Sequence, residues 1–186
     1  ISKNLFYPGR YDPNNIVPPA CFAIGKKPKD MAPSKNAEDP QSEACSGCPM
    51  NEFGSDGSGK ACKNVRTLAV LPPDADPEGD IMLLNVSPTG LKNFDGYVTT
   101  VAAKFNTIPV GVVTEVSIVP SGQGYTVSFG NPRPNENLEA DFARRSEALA
   151  LLKMEPDTTP QQAATATAPK RRTVKHKKKA TAKRRR

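Results

Sequence analysis

The chain has 186 residues, 37% of them apolar and 19 of them proline, which allows one domain with a modest core and irregular stretches. Its formal charge of +7 is unevenly placed: residues 170–186 hold 11 Lys/Arg and no acid, and the rest holds 15 bases against 19 acids. No apolar run approaches a membrane span and no secretory h-region is visible, so a soluble, intracellular protein with reduced thiols is expected.

The chain starts at Ile1 rather than at Met, as expected if a few residues are missing or trimmed. Residues 1–19 carry Tyr7-Pro8-Gly9, Asp12-Pro13 and Pro18-Pro19, which are turn and extended signals. They read as an N-terminal arm packing Leu5, Phe6, Tyr7 and Tyr11 on the domain that follows, residues 20–155. Ala20 to Ile24 is a short apolar run closed by Gly25, a strand that delivers Cys21. Residues 26–44 lack periodicity and read as a mobile loop.

Cys45-x-x-Cys48 follows, then a Gly/Ser-rich stretch whose Gly54, Gly57 and Gly59 permit the turns that bring Cys62 back. With Cys21 these thiols make a set of four, which suits a tetrahedral zinc ion, the C-x-x-C supplying two adjacent ligands. Two disulfides or inert buried thiols are the alternatives; four cysteines are sparse for a disulfide scaffold of this length. Residues 26–63 would then be a zinc-binding insertion. Four cysteine ligands close the zinc shell, whereas a catalytic zinc keeps an open position, so the ion would be structural.

Val65 to Leu71 is a strand closed by Pro72-Pro73, and Ile81 to Val86 is its hairpin partner across an acidic turn. Their near-continuous apolar character predicts burial on both faces. Ser87-Pro88 starts a helix to Phe105, with Leu91, Phe94, Val98, Val101 and Phe105 along one face. Residues 111–119 alternate as a strand and residues 124–130 return after Ser121 to Gly124, with Tyr125, Val127 and Phe129 on one face. Asn135 caps a last helix, striped by Leu138, Phe142, Leu149 and Leu152 and ended by Pro156. Residues 156–186 cannot bury enough apolar surface to fold and read as a disordered basic tail.

Three strands, a helix and two strands is the order of an OB-fold, so the expectation is a mainly β protein with some α: an OB-like five-stranded barrel with the zinc insertion between its first strands and a C-terminal helix. A four-stranded α+β sheet is the alternative. The stretch C-x-x-C-P-x-N-x-F-G-S…G-K-A-C-K, followed by VRTLAVL and LLNVSPTGLKNFDGY, resembles a group of phage-encoded, zinc-containing, OB-like single-stranded DNA-binding proteins. The resemblance covers roughly Cys21 to Phe129, and the cysteine segment is its specific part. It implies single-strand binding in phage DNA replication or recombination, with replication or recombination proteins as partners, in the host-cell cytoplasm at the nucleoid. Many single-strand binders end in an acidic, partner-recruiting tail; this chain ends in Arg184-Arg185-Arg186 instead.

Catalysis is not expected. The single histidine, His176, sits among tail lysines, so no Cys/His or Ser/His/Asp set can be built. Cys48 precedes its proline, unlike the deaminase P-C-x-x-C. Gly54 to Lys60 imitates a phosphate loop, but Ala61 replaces the hydroxyl that would reach magnesium. Nucleic-acid binding has more candidates. Lys60, Lys63 and Arg66 cluster near the last cysteine, and Phe53 and Tyr125 are either base-stacking platforms or packed residues. In the tail, Lys170, Arg171, Arg172, Lys175, Lys177, Lys178, Lys179, Lys183, Arg184, Arg185 and Arg186 would neutralise phosphates without sequence preference. A nuclear-import signal is a further reading of such a cluster. For the whole protein, the alternatives to single-strand binding are a DNA-packaging structural protein and a zinc-bearing accessory subunit of a replication or transcription complex.

Overall fold

The computed structural model describes residues 1–72, 76, 78–122 and 124–158, and the backbone of 161–162. The eleven basic candidates of 170–186, and the disorder expected there, lie outside the described residues. The elements in chain order are β1 (Ser2–Phe6), β2 (Asn15–Ile16), β3 (Cys21–Gly25), β4 (Cys62–Val70), β5 (Met82–Val86), α1 (Leu91–Phe105), β6 (Val112–Ser121), β7 (Gly124–Pro134), α2 (Leu138–Ala143), α3 (Arg145–Leu152) and β8 (Gln161–Gln162). Among the described residues no helix is long and apolar enough to cross a membrane.

The main sheet is four-stranded, in the order β3-β1-β4-β5, and every pairing in it is antiparallel. The expected N-terminal arm is therefore corrected: its first residues are an interior strand, paired to β3 on one side and β4 on the other. Ser2 and Asn4 are buried although they are polar, and Asn4 lines the small cavity beneath the cysteine loop. That polar inward face hides the strand from any hydrophobic pattern.

The five-stranded barrel is corrected as well. Strand β1 takes the place beside β4 that β3 was expected to hold, and among the described residues β6 and β7 pair only with each other. Among the described residues no pairing joins this ribbon to the sheet, so β3 and β5 remain open edges. The β4–β5 hairpin forms as expected, with Arg66 opposite Val86 and Val70 opposite Met82. Burial on both faces does not follow: Val86 is buried, but Met82 is 50% and Leu83 44% exposed, as an edge strand with one uncovered face allows.

Helix α1 begins with a 3-10 turn over Pro88–Gly90 and ends at Asn106, whose left-handed φ of 51° lets its N–H reach the Ala102 carbonyl. It buries Phe94, Tyr97 and Val101 and packs Phe105 against the same cluster. Phe129 of β7 meets Phe94 edge-on, with centroids 5.1 Å apart, and lies 5.8 Å from Tyr97. The Tyr97 hydroxyl pairs with Thr114 Oγ1 at 2.6 Å. This aromatic cluster, rather than strand pairing, attaches the ribbon to the helix.

The single expected C-terminal helix is two. The chain turns at Arg144, whose guanidinium donates to the Gly79 carbonyl and to both Glu147 carboxylate oxygens. Residues 26–44 are not a free loop: Ser34 N–H bonds to the Phe22 carbonyl, Asp39 N–H to that of Ala20, and Cys45 N–H to that of Met31. Met31 is buried against Ala23 and Cys45.

Candidate metal centre and nucleic-acid interface

In an antiparallel sheet, residues opposite one another share a face. Phe6 lies opposite both Cys21 and Cys62, so these three form a row across β3, β1 and β4. The next row on that face is Ala23, Asn4 and Asn64. The Cys45–Cys48 knuckle folds over these rows, turning at Gly47, where φ is +81°. All four cysteines are buried and free, and all line the same small cavity between knuckle and sheet.

Three asparagines, which the spacing of the cysteines does not reveal, hold the knuckle on the sheet. Asn51 donates to the Cys45 carbonyl at 2.9 Å, and its Oδ1 accepts from Asn64 Nδ2 at 3.0 Å. Asn64 Nδ2 also donates to Asn4 Oδ1 at 2.8 Å. Asn4 hydrogen-bonds the Cys45 thiol, which favours its thiolate, but burial outweighs this and pushes the Cys45 pKa up. Cys62 is pushed up to about 12 by burial first and by the neighbouring Cys45, Cys21 and Cys48 second, with Lys60 in opposition. Four thiols within each other's fields cannot all ionise unless a cation joins them.

The donor set fits zinc in identity, number and shelter. Strand spacing puts the Cys21 and Cys62 Cα atoms about 9.6 Å apart, two strand widths, which is too far for a disulfide. For the same reason the cysteines stand around the cavity rather than closed on a point. Among the described residues no three His, Cys, Asp or Glu side chains are gathered as a ligand set.

The expected nucleic-acid residues do not form one patch. Phe53 is 81% exposed beyond the knuckle and is no plug over the cysteines; Lys60 Nζ stands 4.9 Å from its ring centroid. Lys63 Nζ pairs with Asp56 at 2.9 Å and with the Lys60 carbonyl at 2.8 Å. Arg66 lies elsewhere, paired with Asp95 and stacked 5.6 Å from the Phe94 ring, so its charge serves α1. Tyr125, at the tip of the ribbon, is 76% exposed, and Val116 and Ile118 stand out with it on the same face.

No protein-family model, curated protein or solved structure matches this chain.

Proposed function

We propose that the chain is a non-enzymatic single-stranded DNA-binding protein, of the kind that serves phage replication or recombination, with a structural zinc held by Cys21, Cys45, Cys48 and Cys62. The observation that carries this reading is Phe53: a large aromatic ring left in solvent beneath a lysine ammonium. A bare ring costs solubility and gains nothing for the fold, whereas ring and ammonium together suit an unpaired base and its phosphate. Exposed Tyr125 and the eleven basic residues of 170–186 support the same reading, which does not require a closed barrel.

The test is fluorescence anisotropy of the full chain at fixed salt, on single strand and on duplex of equal length. The wild type should prefer the single strand. Phe53→Ala should weaken single-strand binding about 10-fold, within the range of one base stack, and leave duplex binding unchanged. Equal binding to both forms replaces this reading with the packaging protein, and binding to neither favours the accessory subunit.

A further inference from the structure

An open trough of about 960 Å³ runs between the loop after β1 and the outer side of the cysteine insertion. Tyr7, Arg10 and Tyr11 stand on one wall, and Asp56 and Lys63 on the other. Tyr11 is 80% exposed, and among the described residues Arg10 makes no ion pair. Its floor includes Phe6, Ile16 and Val17, which are apolar.

We infer that this trough is the single-strand track, with Tyr11 and Tyr7 stacking on bases and Arg10 holding phosphates. The inference rests on the single-strand reading above and gives it a location. A duplex hides its base faces, so exposed tyrosines over an apolar floor favour unpaired bases. Each carboxylate in the trough already has a partner: Asp56 is paired with Lys63, Asp12 accepts the Asn14 N–H at 2.8 Å, and Asp157 is partnered. Phe53 and Lys60 lie in sequence between Met50 and Ala61, which line the trough, but are not themselves part of its lining. Pro156 and Asp157 also line the trough, so the basic residues from Lys170 onward are tethered to it. Tethering raises their local concentration over any strand lying there.

The chain contains no tryptophan, which makes a reporter simple to place. In the full-length protein, Tyr11→Trp should be quenched on titration with oligothymidylate, over the same concentrations that raise anisotropy. Tyr11→Ala should weaken single-strand binding about 10-fold without moving the thermal midpoint, and Arg10→Ala should lower the salt slope by about one. A Tyr11→Trp protein that binds without quenching, while Tyr125→Trp is quenched, overturns the trough and leaves single-strand binding standing. A wild type that fails to bind oligothymidylate at all removes both.

Discussion

Asn51 is the residue on which the cysteine knuckle turns. One side chain ties the Cys45 carbonyl to Asn64 of the sheet, and Lys60 Nζ approaches Asn51 Oδ1 at 3.4 Å. Asn51→Ala leaves the half-buried Cys45 carbonyl without its side-chain donor and takes one of two acceptors from the Asn64 amide, so it should cost about 2 kcal/mol, read as a lower urea midpoint. The cysteines answer to a different measurement. Metal analysis of the purified chain should find one zinc per molecule, and Cys48→Ser should release it and unfold the insertion. A chain free of zinc, or two mapped disulfides, removes the metal from the proposal. Asn51→Ala should destabilise the protein without abolishing zinc, which separates the scaffold from the ligands.

At the scale of elements, Phe129 joins ribbon and helix through Phe94 and Tyr97. Phe129→Ala should cost about 3 kcal/mol, seen in thermal unfolding, because among the described residues β7 has no sheet neighbour except β6 to hold it. Glu155 makes a second join: it accepts Ser34 Oγ at 2.5 Å and Asn36 Nδ2 at 2.7 Å, holding the residue 26–44 segment to the end of the helical region. These hydrogen bonds, that of Asn36 first, hold its pKa below the usual glutamate range. The stability it adds is present above the ordinary value of about 4.3 and is lost as pH falls through the lowered one. Denaturant midpoints of wild type and Glu155→Gln should therefore differ at pH 6 and converge toward pH 3. Strands β3 to β7 and helix α1 were legible because their apolar residues repeat at strand or helix period. Strand β1 was not, since its inward residues include Ser2 and Asn4 and its outward ones Lys3 and Leu5. The four cysteines could be read as a set, but asparagines carry no period, so the network beneath them could not. The exposure of β5 was equally hidden, because an apolar run looks the same whether or not a second layer covers it.

The whole molecule is divided by charge: residues 1–169 are acidic on balance, and 170–186 carry eleven bases. Ending the chain after Ala168 should flatten the slope of log affinity against log salt by several units, since each phosphate that is no longer neutralised takes away close to one unit of counterion release. An unchanged slope means that these bases do not touch nucleic acid. The position of β1 has a consequence of another kind, for the order of events during synthesis. Strand β1 is made before both of its neighbours, pairs with β3 after a short interval, and meets its second neighbour only when β4 is complete. Ser2 lies opposite Arg66 on the neighbouring strand, and the Ile1 nitrogen donates to the Thr67 carbonyl, 66 residues away. Such distant pairing slows folding, since the chain between must be gathered before the pairing repays it. A nascent chain halted before β4 would hold only a two-stranded hairpin with the Asn4 face uncovered, a structure marginal in water. The sheet can thus be completed only after the ribosome has passed all four cysteines, so the thiols of this protein spend the early part of its synthesis unprotected.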